Sequence, residues 1–80
     1  MENRKITAKQ IKVLENILMF INENGFSPTV RELCAMLGYS STSTAHHYLQ
    51  QLQDAGIISY EPTKSRTIRI VGHVHLNLSA

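Results

Sequence analysis

The chain has one cysteine, no tryptophan and no long apolar run. Cys34, being single, excludes an internal disulfide and a zinc site built on a cysteine pair. Three tyrosines and two phenylalanines are its only aromatics. That leaves no stacking platform of the kind that reads single-stranded RNA. Nothing approaches the roughly 20 consecutive apolar residues needed to span a bilayer. Met1-Glu2-Asn3-Arg4-Lys5 is not followed by a signal-peptide core, so secretion is not expected. Neither charge dominates: eight Lys and Arg face six Asp and Glu. The resulting +2 is too weak by itself to argue for nucleic acid. A length of 80 residues fits one domain. A chain of that size buries roughly 60–65% of its unfolded surface.

The arrangement of charge says more than its sum. Arg4, Lys5, Lys9 and Lys12 crowd the start, and Lys64, Arg66 and Arg69 lie near the end with no acid after Glu61. Glu15, Glu23, Glu32, Asp54 and Glu61 fall between these two basic groups.

The periodicity predicts three helices. Thr7 and Gln10 have capping-box spacing, and Ile11, Leu14, Ile17, Leu18 and Ile21 recur on one face before Asn24-Gly25 stops the run. This gives a helix over 7–24. Ser27-Pro28 connects it to a second capping box, Thr29 with Glu32, and to the face Val30, Leu33, Cys34, Leu37, ended by Gly38. The second helix spans 29–37. A tight turn follows, and Ser40 or Ser41 can cap a third helix over 41–55, with Ala45, Tyr48, Leu49 and Leu52 buried and Gly56 as its stop. Two short helices joined by a glycine-led turn have the form of a helix-turn-helix unit. After Gly56 the period changes. Ile57–Tyr60 and Thr67–Val71 read as two strands around the polar, basic tip 61–66. The expected fold is mainly α with a small β-hairpin: a three-helix winged helix-turn-helix over 1–71. Residues 72–80 form a tail or, from the alternation in His73-Val74-His75-Leu76-Asn77-Leu78, an extra strand.

Between Gly38 and Gly56 the chain is nearly uncharged yet dense in hydroxyls and imidazoles. In a helix-turn-helix the second helix reads base edges with its N-terminal residues. Hydroxyls and imidazoles do that without charge. Ser41, Ser43, Thr44, His46 and His47 are therefore the candidate base readers. Ser and Thr clusters also mark caps and loops, and paired histidines are common on surfaces; the helix-turn pattern before them tips the reading to base contact. Backbone anchoring falls to Thr29 and Arg31 at the second helix's start, where amides and a guanidinium can meet phosphate. On the wing it falls to Lys64, Arg66 and Arg69.

The segments "GFSPTVRELCAMLGYSS", "STAHHYLQQLQDAGII" and "EPTKSRTIRI", in this order, resemble the N-terminal DNA-binding domain of the LexA repressor family. The likeness runs without a gap from about Ile6 to Val71 and is nearest the Gram-positive form. It implies a bacterial or phage-encoded cytoplasmic protein that binds a double-stranded operator as a homodimer and represses SOS or phage genes. The family's reading positions fall on Ser41, Ser43, Thr44, His46 and His47, and its wing positions on Lys64 and Arg66. His47 departs from the small or acidic residue expected there. The family's C-terminal peptidase domain has no counterpart in these residues. An excised domain or a stand-alone regulator is expected, and self-cleavage is not carried over.

Other chemistry is disfavoured. His46, His47, His73 and His75 lack the thiolate or carboxylate company of a usual zinc site, and Cys34 belongs to an apolar face. No metal, no cofactor, no small-molecule substrate and no enzymatic activity are expected. The competing function is a stand-alone winged-helix protein-interaction module or co-regulator of a larger repressor, with the tail adding to a partner's sheet edge.

Overall fold

The computed structural model describes residues 7–72. In them α1 (Ala8–Asn24), α2 (Val30–Leu37) and α3 (Thr42–Asp54) precede a two-stranded antiparallel ribbon, β1 (Ile58–Ser59) and β2 (Arg69–Ile70). This is a winged helix-turn-helix. Both capping boxes form: Thr7 accepts from Gln10 N–H, Thr29 accepts from Glu32 N–H, and each third-position side chain reaches back to its cap's backbone. Ser41, not Ser40, caps α3, its hydroxyl accepting from Ser43 N–H at 3.1 Å.

The helices pack around Val13, Leu14, Ile17, Leu33, Leu49 and Leu52, all fully buried, with Ala45 closing the α3 side. Ile57, Ile58, Tyr60 and Ile68 extend this core under the wing. Each large apolar side chain taken fully out of water contributes about 1.5–3 kcal/mol. The turn between α2 and α3 depends on Gly38, whose φ of 76° is left-handed. Tyr39 N–H then reaches back to the Cys34 carbonyl at 3.0 Å, and the Cys34 thiol lies 3.6 Å from the Ser41 carbonyl oxygen. That local geometry lets α3 leave at an angle with its first turn outside the core. Cys34 is 6% exposed, and burial pushes its thiol pKa up.

The wing departs from a regular hairpin. Only Ile58 with Ile70 and Ser59 with Arg69 form the ladder, shorter than the 57–60 and 67–71 strands that the sequence suggests. Val71 and Gly72 both donate to the Ile57 carbonyl, at 2.9 and 3.0 Å, and close the root. A Cβ on Gly72 would run into the carbonyl oxygen of Gly56, so the root needs glycine there. The proposed extra strand at 73–78 lies outside the described residues.

Candidate nucleic-acid interface

The first turns of α3 face outward. Ser41, Thr42, Ser43, Thr44 and His47 are exposed, and His46 is half-buried. The opposite face of the same helix supplies Ala45, Leu49 and Leu52 to the core, which fixes the rotation of α3. A groove of about 420 Å³ runs beside this surface, lined on three sides by Thr29 and Arg31 of the α2 start, Thr42 and His46 of α3, and Lys64 of the wing tip.

The structure thus gathers Thr29, Arg31, His46 and Lys64 around one opening. Arg69 lines a separate recess with Ser59 and Thr67, and Lys64 borders both. Arg66 is turned back onto the chain. Its Nη1 donates to Glu32 Oε1 at 2.8 Å and to the Ser27 carbonyl at 3.0 Å, and its Nη2 donates to Glu32 Oε2 at 3.0 Å. The guanidinium carbon also sits 4.7 Å from the centre of the Phe26 ring. The backbone of Arg66 is left-handed, φ 55°, unusual for a residue with a side chain. The guanidinium offered by sequence as a phosphate contact is therefore engaged in holding the wing to α2. The Arg66 guanidinium, followed by the Thr29 amide, holds the Glu32 carboxyl below its ordinary pKa.

The two histidines are held from behind. The Nδ1 atom of His46 is 3.1 Å from the Tyr60 hydroxyl, and the rings stack with centres 5.9 Å apart. His47 is reached through a directional chain of hydrogen bonds. Thr7 N–H can only donate, and it donates to Gln10 Oε1 at 2.9 Å. Gln10 Nε2 then donates to Gln51 Oε1 at 2.7 Å. Gln51 Nε2, 3.2 Å from His47 Nε2, must therefore donate, which leaves that imidazole nitrogen the acceptor. Neither Tyr60 nor the Gln10–Gln51 pair is visible by motif. Their partners lie 14 and 41 residues away, beyond any local spacing rule.

Among the described residues no group of three or more His, Cys, Asp or Glu is placed to hold a metal ion, and no helix is long and apolar enough to cross a membrane. His73 and His75 lie outside them.

The family profile described as the LexA DNA binding domain matches residues 3–67. The chain belongs to this family. LexA repressors align over most of it: 44% identity over 68 residues for that of Ruminiclostridium cellulolyticum, covering 85% of this chain and 32% of the relative. For Carboxydothermus hydrogenoformans the figures are 39% over 71 residues, 89% and 35%. For Bacillus cytotoxicus they are 37% over 75 residues, 94% and 36%. The chain spans about a third of the length of these LexA repressors. The LexA family match thus covers the three helices and the wing up to Thr67.

Proposed function

We propose that this chain binds a specific double-stranded DNA operator and represses transcription from it, with α3 in the major groove and the wing tip on the backbone or in the minor groove. The observation that carries this reading is the exposed, uncharged start of α3 set between two basic elements around one groove. A helix is about 10–12 Å across with its side chains, and the major groove is about 12 Å wide, so only the projecting turns of α3 need touch bases. Ser41, Ser43, Thr44, His46 and His47 are the reading set, with Thr42 beside them. Arg31, Lys64 and the α2 start at Thr29 supply sequence-independent attraction to phosphate. Arg66 serves the interface indirectly by holding the wing, and Arg69 is a peripheral cation.

One such domain offers a small interface, so two copies on half-sites about one helical turn apart complete the reading. Membership of the LexA family supports repression as the outcome, with SOS or phage genes as the targets that the resemblance implies. Work in the cytoplasm, beside the DNA, follows from the same reading.

Titration of the full chain against a palindromic operator found by footprinting, and against its scrambled copy, tests the proposal. The operator should bind at least 100-fold more tightly, about tenfold under the low end of the usual span between specific and non-specific sites, about 10³–10⁷, as suits a small domain. Equal affinity for the two duplexes would remove the sequence-specific claim.

A further inference from the structure

Tyr60 is in an odd place for a wing residue. It follows β1, is 6% exposed, and points its hydroxyl at the helix whose outer face carries the reading set. Both of its ends are fixed. Its backbone N–H donates to Gln53 Oε1 at 2.8 Å, and its ring stacks on His46 at an interplanar angle of 29°. The ring therefore has little freedom, and neither does the imidazole that it supports.

The direction of the bond between them follows from what each atom can do. Burial raises the Tyr60 pKa, so the hydroxyl keeps its proton. It has two acceptors in range, His46 Nδ1 at 3.1 Å and the His46 carbonyl oxygen at 3.5 Å. The second is too long for a good O–H···O bond, which is normally 2.5–3.0 Å. A phenol is also the better donor of the pair and an imidazole nitrogen the better acceptor. Donation from Tyr60 to Nδ1 leaves the ring proton of neutral His46 on Nε2. On the groove side His46 then offers an N–H.

Resting on the reading that α3 enters the major groove, we infer that Tyr60 is a specificity-determining positioning residue: it holds His46 in the Nε2–H form and so restricts it to acceptor-bearing base edges, guanine first. Guanine presents two adjacent acceptors there, N7 and O6, whereas cytosine presents an amino donor that meets Nε2–H badly. Tyr60 touches no base. It selects the base through the tautomer of the side chain that does.

The experiment uses the full chain with Tyr60→Phe, which keeps the ring and removes the hydroxyl, beside His46→Ala. Selection from a library randomised across the operator should show the wild type enriching guanine at one position of each half-site. His46→Ala should lose that enrichment. Tyr60→Phe should lose it at the same position and no other, binding the best operator roughly three- to tenfold more weakly. Nitrogen-15 NMR of the free protein should show His46 Nδ1 unprotonated in the wild type and a mixture of tautomers in Tyr60→Phe. A purely structural role for Tyr60 would weaken binding to all sequences alike and leave the tautomer unchanged. Retained guanine preference in Tyr60→Phe, or a protonated wild-type Nδ1, overturns the inference while the operator reading stands. A wild type with no base preference anywhere overturns both. Should Tyr60→Phe fail to fold, a protonated wild-type Nδ1 still overturns the inference, and a Tyr60 hydroxyl proton seen bonded to that nitrogen supports it.

Discussion

Two helices in this chain begin with the same device and use its surplus differently. At α1, Gln10 Oε1 accepts the Thr7 amide, and the spare Gln10 amide nitrogen goes on to Gln51 and so toward His47. At α2, Glu32 Oε1 accepts the Thr29 amide, and both carboxylate oxygens also accept from Arg66 and so tie the cap to the wing. Each cap thus reaches an element that the operator reading places on DNA. The first link is neutral and half-buried where Gln10 meets Gln51; the second is exposed but ionic, two-pronged and backed by Phe26. A neutral chain of amides fixes the direction of hydrogen bonds and little else. A fork-to-fork guanidinium–carboxylate pair fixes where a whole loop sits. The difference predicts that damage at Glu32 spreads to the wing, while damage at Gln10 stays local.

The largest effect is expected from Glu32→Ala. It removes the cap partner of α2 and both charged bonds to Arg66, leaving only the Ser27 carbonyl and the Phe26 ring to restrain that side chain. Thermal unfolding should shift down by several degrees, and affinity for any duplex should fall on the order of tenfold because Lys64 is no longer held over the groove. Gln10→Ala, the matching change at α1, should cost about 0.5–1 kcal/mol in stability and leave the wing untouched. Amide exchange of residues 61–67 measures the contrast directly: faster in Glu32→Ala, unchanged in Gln10→Ala. Equal exchange in both would mean that the ion pair does not hold the wing.

Glu32→Gln is milder and sharper. Glutamine still closes a capping box, so the helix start survives while the charge is lost. The folded-state pKa of Glu32 is lowered, chiefly by Arg66. Its stabilising contribution is therefore complete above the ordinary carboxylate pKa and disappears as pH falls through the depressed folded value. Wild-type melting temperature should thus drop more steeply with acid than that of Glu32→Gln, the two curves converging at low pH. Melts of both proteins between about pH 2.5 and 7 test this. Parallel curves would mean that the ion pair contributes nothing measurable, as many exposed pairs do.

Much of this architecture is legible in the residues because its signals are local. Thr7 with Gln10, Thr29 with Glu32, and glycines 25, 38 and 56 mark the helix ends, and the structure places them within one residue of the expected bounds. The apolar stripe of α1 is less exact: Val13 is fully buried, while Ile11, Leu18 and Ile21 are only partly so. A 17-residue helix packed on two partners presents a broader face than a single i, i+3, i+4 line follows. The exposure of residues 41–44 and 47 follows from the same periodicity that buries Ala45, Leu49 and Leu52. What the sequence conceals is pairing across distance. Arg66 looks like one more wing cation until the fold brings Glu32, Ser27 and Phe26 beside it, and Tyr60 looks like a strand residue until His46 lies against it. Charge count along a chain does not say which cations are already engaged.

The smallest effect separates direction from strength on the neutral side of the comparison. Gln51→Glu keeps the acceptor that Gln10 Nε2 uses and replaces the donor facing His47 Nε2 with a second oxygen. Wild-type Nε2 accepts from Gln51; beside a carboxylate it must instead carry a proton and donate. The stability change should stay within about 0.5 kcal/mol, the usual scale of an exposed pair one helical turn apart. Nitrogen-15 NMR should nonetheless show His47 Nε2 passing from unprotonated to protonated, and operator selection should shift at one base pair if His47 touches it. The same substitution leaves the Glu32–Arg66 clamp and the acid dependence of melting where they were. An unprotonated Nε2 in Gln51→Glu would mean that the side chain at position 51 does not engage His47 in solution, leaving His47 free to choose its tautomer on contact with a base.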